Sequence, residues 1–240
     1  MILIIQFRKD NSGHHEVKCL HNALAKDYTN YTIVNAYGDL DSKDLIYLAK
    51  RSKGIILGGN GESGYEEVDL HKIKTLESVI NKMKEFLKEV EHLQIPTLGI
   101  CFGHQLIADY LGGNVFPDKN QAETGVNKII LTEYGIKDRL FKGLEKEFYS
   151  VLSHKSSVVS LNNKAVKILA YSNKCNIQAF QYKNFYGTQF HPELSIEDFN
   201  HRIKMYPEYM EHCLPFDENI NIDVYTLMHN FWEIVNKSNN

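Results

Sequence analysis

Thr97-Leu-Gly-Ile-Cys101-Phe-Gly-His-Gln105 places a cysteine between a short apolar run and a stretch of helical character, with glycines two residues before it and two after. A strand that turns sharply into a helix strains its apex residue and brings neighbouring chains close, which Gly99 and Gly103 permit. The apex then projects from the C-terminal edge of a sheet. The following helix presents free N–H groups and the positive end of its dipole, which favour a thiolate and can hold an oxyanion. A free cysteine is more often a buried small hydrophobe; the strand, turn and helix around Cys101 argue for a nucleophile.

Outward from this turn, apolar runs of four to six residues alternate with amphipathic stretches, the pattern of strands feeding helices in a mainly parallel sheet. A first strand is expected over residues 2–7, a polar loop over 8–13, and a helix over 14–25 capped by Asn11 or Ser12. Strands at 33–35 and 54–57 flank a helical face of Leu45, Leu48 and Ala49, and Gly58-Gly-Asn-Gly61 reads as a turn. Ile73, Leu76, Ile80, Met83, Phe86, Leu87 and Val90 recur at helical spacing, predicting a one-sided helix over 70–92 that covers one face of the sheet. The strand at 97–100 runs into a helix over 103–111.

Beyond Gly112-Gly113 the chain turns β-rich, with strands expected at 126–131, 148–152, 166–171, 177–182 and 186–190. A polar insert over 198–221, with Tyr206, Pro207, Tyr209, Pro215 and Phe216, precedes a closing helix over 224–235. The expected architecture is one α/β domain over 1–240. It has a mainly parallel twisted sheet flanked by helices, flavodoxin-like, with an antiparallel β extension.

At 240 residues and 43% hydrophobic content the chain can bury a full core. A charged fraction of 24% and a net charge of -3, with no dense Lys/Arg run, give no nucleic-acid footprint. The apolar start at Met1 is soon followed by Gln6, Arg8, Lys9 and Asp10, too short for a membrane span or signal peptide, so a cytoplasmic protein is expected. Cys19, Cys101, Cys175 and Cys213 form no C-x-x-C pair and read as free thiols. His14, His15, Cys19 and His21 match no zinc spacing, and no metal site is expected.

A thiol nucleophile needs a base held by a third group. Gly187-Thr-Gln-Phe-His191-Pro-Glu193 offers both. Two apart at the end of an extended run, His191 and Glu193 would leave on the same side, the carboxylate on one ring nitrogen and the other nitrogen facing the thiol. A purely structural strand-end histidine is the alternative. His104 is the nearest rival in sequence, but it sits inside the helix with no carboxylate to orient it, and a packing or wall role is expected. The loop 8–13 should open at the ligand-binding edge of the sheet.

With these residues in view, the chain resembles the class I, triad-type glutamine amidotransferase family along most of its length. The matching motifs are Gly58-Gly59, Gly99-Ile-Cys101-Phe-Gly103-His-Gln105, Glu123-Thr-Gly125, Ser153-His154 and Phe190-His191-Pro-Glu193. The resemblance implies a Cys101–His191–Glu193 triad, a γ-glutamyl thioester with release of ammonia, and an oxyanion hole from the N–H groups of Gly59 and Phe102. It also implies substrate contacts from Gln105, Ser153 and His154, and no cofactor. Where the family usually has proline after the paired glycines, this chain has Asn60.

Three functions follow as expectations. The first is a glutaminase that delivers ammonia to a separate synthase subunit. The second is a γ-glutamyl peptidase or hydrolase using the same thioester, with the insert 198–221 lining its pocket or forming a docking surface. The third is a silent binding or regulatory module, against which the intact Cys, His and Glu argue.

Overall fold

In a computed structural model the described residues are 1–24, 30–61, 64–206, 213, 216–217, 219–223 and 225–238. The chain runs β1 (Ile2–Phe7), α1 (Ser12–Leu24), β2 (Tyr31–Asn35), α2 (Ser42–Lys50), β3 (Gly54–Asn60), α3 (Leu70–His92), β4 (Thr97–Ile100) and α4 (Phe102–Tyr110). It continues β5 (Asn114–Pro117), β6 (Glu123–Leu131), α5 (Glu133–Lys137), β7 (Glu147–His154), β8 (Ser156–Ser160), β9 (Lys167–Tyr171), β10 (Ala179–Tyr182), β11 (Phe185–Thr188), α6 (Ile196–Met205) and α7 (Thr226–Lys237).

Nine strands form one sheet in the order β2-β1-β3-β4-β11-β10-β9-β6-β7. The five from β2 to β11 are parallel and the remaining pairings antiparallel, so the expected extension is the second half of the same sheet. β5 and β8 pair separately.

The apolar run of β1 is continuous because both faces of the sheet are covered. Ile2 and Ile4 pack with Leu20 and Leu24 of α1 and Phe231 and Val235 of α7. Leu3, Ile5 and Phe7 face the other way, onto Leu45 of α2, Met83 and Phe86 of α3 and Leu106 of α4. Along α3 the expected stripe holds, although Ile73 and Ile80 stay half-buried and Val79 joins the core.

Three readings change. β3 runs on to Asn60 rather than turning at Gly58: its pairing with β1 breaks in a bulge after Ile5–Leu57, across the two glycines, and resumes at Phe7–Asn60. β11 ends at Thr188, beyond which the chain crosses to β7, where His191 bridges Val151 with its N–H on that carbonyl at 2.8 Å, and then turns. Part of the polar insert is α6, whose Ser195 hydroxyl and Asp198 carboxylate form a capping box. Tyr209, Pro207 and Pro215 of that insert lie outside the described residues, while Phe216 packs edge-on to Phe199.

Candidate active site

β4 and β11 are neighbouring parallel strands with Ile100 opposite Thr188, so Cys101 and residues 189–193 emerge side by side at one sheet edge. Cys101 has φ 52 and ψ −98, outside the comfortable regions for a side-chain-bearing residue, and its N–H is held by the Thr188 carbonyl at 2.8 Å. Close approach explains the flanking glycines. A Cβ on Gly99 would lie 2.4 Å from the Gly103 carbonyl oxygen, and one on Gly103 would lie 2.3 Å from that of Leu57.

His191 and Glu193 are both buried, and the ring Nδ1 lies 2.8 Å from Glu193 Oε1. They meet across a turn closed by Leu194 N–H on the His191 carbonyl, not along an extended strand. Burial alone would raise the Glu193 carboxyl, but His191 and Arg202 bring it down to about 2. An ionised carboxylate only accepts, so Nδ1 carries the proton and Nε2 is left as a base. Arg202 of α6 is buried with its nearest nitrogen 3.7 Å from Glu193 Oε1, and none of its guanidinium nitrogens has a hydrogen-bond partner among the described residues. Burial and the nearby Arg8 charge lower it from its ordinary range.

The lowered thiol expected of a helix N-terminus is not found at Cys101. Burial, with Glu66 and Glu193 adding to it and Arg8 opposing, pushes the thiol up to about 12, so it is protonated at neutral pH. Its sulfur reaches the Ser153 carbonyl at 3.8 Å and accepts from Gln189 Nε2 at 3.6 Å, and no hydrogen bond joins it to His191 among the described residues. The space before the sulfur, walled by Glu66, Gln105, Ser153 and Ser156, is about 20 Å³, room for about one water. A cavity of about 520 Å³ lies elsewhere, at Leu93, Arg139 and Lys183, and contains neither thiol nor imidazole.

Phe102 follows the cysteine in the chain, and Gly59 lies on β3, the parallel neighbour of β4. Phe102 opens α4, so its N–H has no partner within the helix. The Gly59 N–H donates to Glu16 Oε1 at 2.8 Å. Glu16 is itself held by Arg8 Nε at 3.1 Å, both buried, and the carboxylate raises the guanidinium against the effect of burial.

Gln105 is buried, donating to the Ser156 carbonyl at 2.8 Å and to Gln189 Oε1 at 3.1 Å. His154 turns its Nδ1 to the Ser156 carbonyl at 3.2 Å and its Nε2 toward Glu123 at 3.9 Å, and burial lowers it to about 4. His104 stacks on Phe180 at 4.8 Å and is lowered by burial to about 3, a packing residue as expected.

A family model for class-I glutamine amidotransferases matches residues 11–205. The chain belongs to the class-I glutamine amidotransferase family. A glutamine-hydrolysing GMP synthase subunit of Methanocaldococcus jannaschii is 31% identical over 205 residues, spanning 85% of this amidotransferase and 93% of that protein. The corresponding protein of Methanosphaera stadtmanae is 40% identical over 144 residues, 59% of this chain and 66% of that one, just under two thirds. A glutamine amidotransferase from Thermotoga maritima shares the fold, with TM-score 0.70 over 98% of this chain and 97% of that one at 18% identity.

The residues absent from the motifs are those that reach the amidotransferase site from elsewhere: Arg8 and Glu16 around the first loop, Glu66 before α3, Gln189 after β11 and Arg202 on α6. Only Arg8 and Gln189 had a signal, the first because its loop was placed at the ligand-binding edge, the second because it lies in the run that ends at His191 and Glu193. His15 and Cys19 do meet Asp198, with His15 Nε2 3.5 Å from Asp198 Oδ1. The Cys19 sulfur is 3.8 Å and 3.6 Å from the Nδ1 and Nε2 of His15.

Proposed function

We propose that the amidotransferase releases ammonia from the side-chain amide of glutamine through a thioester on Cys101. What carries the reading is the buried His191–Glu193 pair, bonded at 2.8 Å, beside the strand that ends in the strained cysteine. His191 Nε2 takes the thiol proton as the sulfur attacks the amide carbon, and the carbonyl electron pair moves onto oxygen. Glu193 steadies the imidazolium.

Gly59 and Phe102 N–H are the donors assigned to the oxyanion, each worth roughly 3 kcal/mol in such a role. Collapse expels ammonia, which leaves with the His191 proton, and forms the γ-glutamyl thioester. Water then adds, giving its proton to His191, and glutamate departs as the thiol is restored. Gln105, Ser153 and His154 are proposed to shape the pocket for the amino-acid end of the substrate.

A separate synthase subunit is the proposed receiver of the ammonia, on the strength of the GMP synthase relatives, which are themselves single subunits of that enzyme. None of the helices among the described residues is long and apolar enough to cross a membrane. The four free thiols support a place in the reducing cytoplasm, and residues 1–240 are proposed to act as one domain.

The test is ammonia release from glutamine, run beside a panel of γ-glutamyl peptides, with covalent capture of the nucleophile by an electrophilic glutamine analogue. Cys101→Ala is expected to lower turnover by about 10⁴-fold or more and to abolish capture while the circular dichroism is unchanged. Turnover that survives in Cys101→Ala rejects the assignment, and cleavage of the peptides alone moves it to a γ-glutamyl hydrolase.

A further inference from the structure

The Gly59 amide that the reaction needs is already engaged. It donates to Glu16 Oε1 at 2.8 Å, a contact between residues 43 apart in sequence and both buried. An N–H so held is withdrawn from a developing oxyanion, and the carboxylate holding it carries the same sign of charge as the atom it would have to make way for.

Glu16 is firmly seated. Arg8 Nε binds the same oxygen at 3.1 Å, and Gln6 Nε2 approaches the other at 3.4 Å. The fit is close enough that a Cβ on Gly58 would lie 2.7 Å from Glu16 Oε2, and one on Gly59 would lie 2.9 Å from Arg8 Nη2. That same Gly59 Cβ position is 3.4 Å from His191 Cε1, so the amide lies between the Arg8–Glu16 pair and the imidazole.

Two further features mark the arrangement as resting. The space before Cys101 is about 20 Å³, too little for an amide side chain. Into it projects Glu66, whose Oε2 accepts from the Ser156 hydroxyl at 2.7 Å.

We propose that Glu16 is a stopper on the oxyanion amide: hydrolysis requires its carboxylate to leave Gly59 N–H, and basal turnover is low while it stays. The proposal rests on the reading of Cys101 given above and adds a positioning residue to it. The link outward is on the same side of the molecule. Arg8 Nη1 donates to Ser12 Oγ at 3.1 Å, and the Tyr206 hydroxyl, just past α6, binds Ser12 at 2.7 Å and also Asp10. α6 carries Arg202 beside Glu193 as well, so Arg202 within this short helix reaches the group that orients the base, while Tyr206 at its end reaches the stopper's anchor through Ser12.

The experiment compares steady-state ammonia release from glutamine by the full chain as wild type, Glu16→Gln, Tyr206→Phe and Cys101→Ala. The near-isosteric Glu16→Gln removes the charge and the ion pair with Arg8 while keeping the volume. Its kcat should rise about 10-fold with KM within 2-fold of wild type, and Cys101 should be captured faster by the glutamine analogue. Tyr206→Phe should give a smaller rise in the same direction.

A folded Glu16→Gln whose kcat is unchanged or lower makes Glu16 a structural brace and overturns the stopper, even where Cys101→Ala still abolishes turnover. Should Glu16→Gln fail to fold, Tyr206→Phe decides, an increase supporting the proposal and none rejecting it. Absence of both turnover and capture in every variant removes the Cys101 reading and the stopper with it.

Discussion

Cys101 and its partners are set by opposing forces at single atoms. Burial holds the thiol near 12 and would hold Glu193 protonated, yet Glu193 sits near 2 because His191 and Arg202 face it. The base is therefore oriented by a charge that is always present at neutral pH, while the thiol loses its proton only as it reacts. Glu193→Gln keeps the shape but offers an amide that stabilises no imidazolium and allows the wrong tautomer. Its kcat should fall by about 10³-fold with KM little changed, measured by ammonia release; a fall under 10-fold would show that His191 needs no carboxylate. Cys101, His191 and Glu193 were legible because each lies in a short run whose residue types have a chemical reason to be adjacent. Glu16 and Arg202 were not, since each reaches the site from an element whose own sequence says nothing about where it will pack, and Gln189, though it lies in the His191 run, is a residue type with no chemical reason of its own to be read as part of the site.

At the level of elements, long regular patterns were readable and short polar ones were not. α3 announces itself with seven apolar residues at helical spacing, and the strand, turn and helix at Cys101 with two glycines. α6 hid inside a polar insert because only Phe199 and Arg202 of its ten residues are buried, and its capping box uses Asp198 where Glu or Gln is usual. The ends of β3 and β11 differ for a related reason: two adjacent glycines read as a turn until the strand is seen to resume its pairing with β1 beyond them, at Asn60, and His-Pro-Glu looks extended until the turn is seen. The capping box makes α6 testable. Ser195→Ala removes the hydroxyl that accepts from Asp198 N–H at 3.1 Å, and should cost about 1 kcal/mol. A urea midpoint within error of wild type would show that α6 is held by Phe199 and Arg202 alone, without its cap.

Across the whole molecule, the sheet that aligns β1, β3, β4 and β11 at one edge also buries histidines in its core layers. His104 and His154 are both neutral there, lowered by burial to about 3 and about 4 from an ordinary 6.5. As pH falls the unfolded chain takes up these protons first, so their stabilising effect is complete above about 6.5 and is lost progressively as pH approaches the folded values. Each histidine contributes a slope of about 1.4 kcal/mol per pH unit in that window, and Glu193 adds to the loss once pH drops below its ordinary 4.5. A domain of this kind holds only about 5–15 kcal/mol in total, so the two histidines alone can consume most of it. Urea unfolding from pH 7.5 to 4.5 should therefore show stability level at first, then falling by about 3 kcal/mol per unit below pH 6, with unfolding complete before Glu193 is protonated. His104→Gln, which keeps a polar group among Phe180 and Gly187 but cannot take up a proton, should lower that slope by about 1.4 kcal/mol per pH unit, leaving the shares of His154 and of His15, which burial also lowers to about 4. Stability that stays level down to pH 5 in the wild type would mean that these rings find a proton-accepting partner in the folded core, and that burial does not set their charge.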